Sequence, residues 1–145
     1  MEIKFKKLSD TAKVPVRADN GSAGYDLYSD IDKTITIKPH TTESIPTNIA
    51  ISIPDGYFGA IYARSGLAFR NGIRPCNAVG VIDSSYRGNI MVGLYNDSDE
   101  PFLVSQSMRI AQLILQKFEE IEFTEVEELD ETERGEGGFG STGLQ

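Results

Sequence analysis

The 145-residue chain contains one cysteine, one histidine, three methionines and no tryptophan. A lone Cys76 cannot close an internal disulfide, and Cys76 with His40 is too little for a Cys/His zinc cluster. Both residues are therefore expected to be structural. No apolar run nears the roughly 18 residues that a membrane-spanning helix needs. The opening stretch MEIKFKKLSD lacks the apolar core and small-residue cleavage site of a secretory signal. These absences predict a cytoplasmic protein with no membrane partner. At this length, with 39% hydrophobic residues, one ordinary domain can bury its own core.

Basic residues are missing from one stretch in particular. Glu119 to Glu133 holds nine acidic side chains and no Lys or Arg, which accounts for the whole excess behind the net charge of −8. The preceding 118 residues carry 13 basic and 12 acidic groups and are nearly neutral. A body without a basic surplus argues against a nucleic-acid partner bound through its phosphate backbone. A small phosphate ligand held by a few arginines and N–H groups is still compatible with this balance.

What is present alternates with period two. Ile3 and Phe5 alternate with Lys4 and Lys6, and Ile35 and Ile37 with Thr36 and Lys38. Ile45, Ile49, Ile51 and Ile53 continue the beat until Pro54-Asp55-Gly56 turns the chain. Tyr57–Ala63, Asn89–Tyr95, Phe102–Val104 and Arg109–Phe118 read as further strands. The pattern predicts about eight to eleven short strands with turns every ~8–12 residues, an all-β sandwich or barrel. Ser65 to Gly72 is the exception, a candidate short helix with Ser65 as cap and Gly72 as stop.

Three clusters carry candidate chemistry. Arg64-Ser65-Gly66 at a helix start gathers a guanidinium, a hydroxyl and free N–H groups, donors suited to an anionic oxygen. A surface ion pair and a simple cap would explain the same residues. The run Asn77 to Gly88 places Asp83 where a strand gives way to a turn. A partly solvated carboxylate there could serve as a general base, and Tyr86 offers a flat face to a sugar or base. An ordinary turn aspartate and plain core packing of the tyrosine would explain the same two residues. The last cluster, Arg134 to Gly143, holds five glycines around Phe139, Ser141 and Thr142. Its composition suits either a disordered tail or an arm that closes on phosphates.

Taken in order, five segments resemble the motifs of the trimeric deoxyuridine triphosphatases. They are Ala23-Gly24-Tyr25-Asp26-Leu27, Arg64-Ser65-Gly66-Leu67-Ala68, and Gly80-Val81-Ile82-Asp83 with Tyr86-Arg87-Gly88. Arg109-Ile110-Ala111-Gln112 and Arg134-Gly135-Glu136-Gly137-Gly138-Phe139-Gly140-Ser141-Thr142-Gly143 complete the set. Each motif alone is weak, whereas five in order over nearly the whole chain are specific. The resemblance implies an all-β jelly-roll or distorted β-barrel subunit over residues 1–133, ending in an acidic strand and arm. It also implies assembly as a homotrimer, with the tail 134–145 closing over an active site of a neighbouring subunit.

The implied activity is hydrolysis of dUTP to dUMP and pyrophosphate. By that resemblance Asp83 activates the attacking water, and Tyr86 packs on the deoxyribose and excludes a 2′-hydroxyl. Asn77, Gly80, Val81 and Ile82 read the uracil edge. Arg64, Ser65, Gly66 and Gln112 hold phosphate oxygens, joined from the tail by Arg134, Gly140, Ser141 and Thr142, with Phe139 over the uracil. Asp26 orients waters around a Mg2+ ion chelated by the triphosphate, and Arg109 is a structural ion-pair partner. Two positions depart from the usual pattern: Ser85, where many members carry Asp, and Met108, where an acidic or small residue is usual. They bear on a local salt bridge or subunit contact. A dCTP deaminase of the same fold is the nearest rival, but its signature has a second Ser where this chain has Gly66. A non-catalytic nucleotide-sensing regulatory protein is the rival of another class.

Overall fold

A computed structural model describes residues 1–138, so Phe139, Gly140, Ser141 and Thr142 lie outside the described residues. Among the described residues, eleven strands and one helix follow one another. They are β1 (Lys4–Lys7), β2 (Tyr25–Tyr28), β3 (Ile35–Ile37), β4 (Thr42–Pro46), β5 (Ile49–Ser52) and β6 (Tyr57–Tyr62). After them come α1 (Ser65–Asn71), β7 (Ile73–Pro75), β8 (Gly80–Ile82), β9 (Met91–Asn96), β10 (Phe102–Val104) and β11 (Arg109–Lys117). Among the described residues no helix is long and apolar enough to cross a membrane.

The strands form four antiparallel sheets, ordered β2-β11-β6-β8, β4-β9-β7, β1-β5 and β10-β3. They enclose a core of branched aliphatic side chains, with Leu27, Ile37, Ile45, Ile49, Ile90 and Leu94 all fully buried. β-Branched residues suit this packing because their restricted χ1 costs little on a pleated surface. Gly56 adopts φ 77 and Tyr57 donates its N–H to the Pro54 carbonyl, so the expected turn before β6 forms.

The isoleucine beat from Ile45 to Ile53 is divided between β4 and β5. It breaks at Thr47-Asn48, where the buried Thr47 hydroxyl donates to the Ile90 carbonyl and Asn48 takes φ 50. Ser65 does not cap α1: Arg64 holds the N-cap position without a side-chain cap bond, and Ser65 is the first helical residue. Gly72 does end the helix, in the left-handed region at φ 66. Finally, the acidic segment forms no strand; nothing after Lys117 joins a sheet among the described residues. Its apolar positions Ile121, Phe123 and Leu129 are 70%, 89% and 85% exposed, with no surface of this chain beneath them.

Candidate active site

The sheet β2-β11-β6-β8 carries Asp26, Gly80, Val81, Ile82, Arg109 and Gln112, and Arg64 and Asp83 flank its strands. β11 is irregular between Arg109 and Ala111. That bulge lets the consecutive residues Ile110 and Ala111 both turn into the core, and it resets the register beyond them. Gln112 consequently stands opposite Asp26 on one side and Tyr62 on the other. Arg64 follows two residues past Tyr62, so the sheet delivers Asp26, Gln112 and Arg64 to one end.

There the side chains interlock. Asp26, with its side chain 11% exposed, accepts from Arg64 Nε at 2.7 Å and from Arg109 Nη1 at 3.3 Å. The ion-pair role expected of Arg109 is thereby realised. Two guanidiniums on one carboxylate leave a local charge of about +1, which favours an anionic ligand and opposes a bare divalent cation. The two terminal nitrogens of Arg64 make no hydrogen bond among the described residues. Gln112 donates Nε2–H to the Ala63 carbonyl at 2.8 Å and so braces the backbone just before Arg64. Gly24 makes room for it, since a Cβ there would lie 2.1 Å from Gln112 Oε1. Ser65 and Gly66 are exposed beside this cluster. Among the described residues no three His, Cys, Asp or Glu side chains gather to hold a metal ion.

Asp83 and Tyr86 lie elsewhere. β8 runs antiparallel to β6, pairing Gly80 with Ile61 and Ile82 with Gly59. Asp83 therefore leaves the sheet beside the beginning of β6, while Arg64 lies beyond its end. At about 3.3 Å per residue, the two are roughly 15–20 Å apart along the strand. The structure brings Asp26, Arg64 and Gln112 together but sets Asp83 apart from them. Asp83 is also exposed rather than partly covered, because the turn projects from an edge strand.

The turn itself is well defined. Tyr86 donates its N–H to the Asp83 carbonyl at 3.1 Å and its hydroxyl to the Asn89 carbonyl at 2.9 Å. Arg87 ties the carbonyls of Ser84 and Tyr86. Gly88 permits the tyrosine to fold back, since a Cβ at that position would lie 2.4 Å from the Tyr86 hydroxyl. Asn77 is exposed on the approach to β8, and Val81 is 60% exposed. As the edge of its sheet, β8 has one side of its backbone open between Gly80 and Ile82.

The remaining sites are simpler. Arg134 donates Nε–H to the Gly137 carbonyl in an exposed turn. His40 pairs with Asp99 at 3.0 Å on the surface, and the Cys76 sulfur fills the space above Gly93. Ser85 is exposed, and Met108 packs against the core. An apolar groove of ≈480 Å3 beside β1 and a polar cavity of ≈460 Å3 around Asp30 include none of Arg64, Asp83 and Gln112. The Asp30 cluster carries no motif in the sequence, because its partners lie 18 to 76 residues away.

Comparison with known proteins follows the same residues. The dUTPase family model matches residues 10–143. The deoxyuridine 5'-triphosphate nucleotidohydrolase of Orientia tsutsugamushi (strain Ikeda) is 45% identical, with 100% of both chains covered. That of Finegoldia magna is 48% identical over 99% of each. Among solved structures, the dUTPase of Staphylococcus bacteriophage 80alpha with dUpNHpp superposes with a TM-score of 0.88, at 30% identity over 99% of each chain.

Proposed function

The chain belongs to the dUTPase family, and on that premise we propose how its residues divide the work of hydrolysing dUTP to dUMP and pyrophosphate. Water attacks the α-phosphorus in line with the pyrophosphate leaving group, and Asp83 takes the water's proton. The bond to water oxygen forms as the bond to pyrophosphate oxygen breaks, so no covalent enzyme intermediate is needed. The Tyr86 ring lies against the deoxyribose and leaves no room for a 2′-hydroxyl. The open backbone edge from Gly80 through Val81 to Ile82, with Asn77, meets the uracil ring.

Arg64, Ser65, Gly66 and Gln112 hold the phosphates, with Asp26 keeping Arg64 in place. The substrate arrives as Mg–dUTP. The surplus positive charge around Asp26 suits a metal carried by the triphosphate, with Asp26 reaching it through water.

One chain cannot complete this reaction. A triphosphate is too short to join Arg64 to Asp83 within a subunit. The Arg64 end of one copy must meet the Asp83 turn of another. A head-to-tail contact whose rotation closes gives a ring, and family membership makes that ring a homotrimer of jelly-roll or distorted-barrel subunits with three shared sites. Arg134, Phe139, Gly140, Ser141 and Thr142 close over a neighbour's site from the glycine-rich tail. The enzyme is cytoplasmic in this reading, keeps uracil out of DNA and supplies dUMP for dTMP synthesis.

The observation that carries the reading is the family match over residues 10–143, which spans every motif. Its test is pyrophosphate release from dUTP, UTP, dTTP and dCTP in parallel, with and without magnesium, by wild type and Asp83→Asn. Selective turnover of dUTP that falls by about 10²–10⁴ in the variant is expected. Turnover by Asp83→Asn within a few-fold of wild type would remove Asp83 from the role of base.

A further inference from the structure

A series of hydrogen bonds links the interior to the turn that carries Asp83 and Tyr86. Asp30, 4% exposed, accepts from Asn48 Nδ2 at 3.0 Å. Asn48 Oδ1 accepts from Asn89 Nδ2 at 2.8 Å, and the Asn89 carbonyl accepts from the Tyr86 hydroxyl at 2.9 Å. Chemistry sets the direction. A carboxylate can only accept, so Asn48 must turn its NH2 toward Asp30 and its oxygen toward Asn89. Asn89 must then present its own NH2, which leaves Asn89 Oδ1 buried without a partner among the described residues.

Both members of this bridge are locally unfavourable. Asn48 sits at φ 50, and Asn89 hides an unsatisfied oxygen. What the bridge holds is evident from the turn. Among the described residues, the hydrogen bonds of residues 83–89 stay within the turn, apart from the one between Asn89 and Asn48. We propose that Asn48 and Asn89 are positioning residues for the Asp83–Tyr86 turn, fixing the height of the Tyr86 ring and with it the exclusion of a 2′-hydroxyl. The inference rests on the role given to Tyr86 above.

Asn48→Gly is the direct test, because glycine keeps the φ of 50 and removes only the side chain. Asn89→Ala breaks the same bridge from the other side and serves if the first variant does not fold. For each, and for the double variant, kcat and KM are measured with dUTP and UTP beside a thermal melt. The dUTP-over-UTP preference should fall about fivefold in either single variant, the equivalent of one lost hydrogen bond. The double variant should fall no further than the worse single, since both cut one link. A lowered melting temperature with the preference unchanged within twofold in both single variants would overturn the proposal. Tyr86→Ala separates the two levels. If it collapses the preference while the bridge variants do not, the bridge fails alone. If it too leaves the preference intact, the role of Tyr86 fails and the bridge with it.

Discussion

Replacing Asp30 by alanine should be among the more damaging substitutions outside the apolar core. Its carboxylate accepts from Thr11 at 2.7 Å, Gln106 at 2.6 Å and Asn48 at 3.0 Å, and from the Ser9 hydroxyl. It thus fastens the segment after β1, the β4–β5 junction and the approach to β11 to one point. Bonds to a charged group contribute about 1.5–3 kcal/mol each, but Thr11 and Gln106 are exposed and regain water when the acceptor goes. A net loss of about 2–4 kcal/mol is therefore expected, a large share of the roughly 5–15 kcal/mol that stabilises a typical domain. Urea unfolding at fixed protein concentration measures it, because the assembly proposed above would make stability depend on concentration.

The pH dependence supplies a second readout. Burial pushes the Asp30 carboxyl up, but hydrogen bonds from Ser9, Gln106, Thr11 and Asn48 together outweigh it and hold it well below the usual carboxylate range. A folded-state pKa below the unfolded value of about 3.9 means that the native state favours the ionised form. The contribution is fully present above that value and is lost as pH falls toward the depressed one. The gap between wild type and Asp30→Ala should thus be steady near neutrality and shrink on acidification below about pH 4. A gap under about 1 kcal/mol at pH 7, or one that widens in acid, would refute the reasoning.

Three further outcomes are expected. Asp26→Asn removes the charge that holds Arg64 at 2.7 Å, so KM for dUTP should rise by about tenfold in steady-state assays; an unchanged KM would show that Arg64 orients itself. Gly88→Ala places a methyl group 2.4 Å from the Tyr86 hydroxyl and should displace the ring, so discrimination against UTP should weaken; retained discrimination would dissociate it from the ring's position. Deleting residues 134–145 should leave the proposed trimer intact, as judged by light scattering, and cripple turnover. Mixed oligomers of that deletion with Asp83→Asn should regain activity, and no recovery after confirmed subunit exchange would count against shared sites.

Much of the fold and of the candidate site was legible in the chain itself. Alternating Ile and polar residues marked the strands, Pro54-Asp55-Gly56 marked the turn before β6, and Gly72 marked the end of α1. Each is a local matter, set by the two-residue side-chain period or by the φ that one residue can adopt. The five motifs are equally local in composition, which is why Asp26, Arg64, Asp83, Tyr86 and Gln112 stood out without a structure. Tertiary structure alone decided which of them meet. The β11 bulge between Arg109 and Ala111 sets Gln112 opposite Asp26, and antiparallel pairing of β6 with β8 sends Arg64 and Asp83 to opposite ends. It also decided that Asp30, in no motif, would gather donors from as far as Gln106, and that Asn48 and Asn89 would link it to Tyr86. Strand register and burial are settled by the sum of contacts between segments distant in the chain, and no window of neighbouring residues contains that sum.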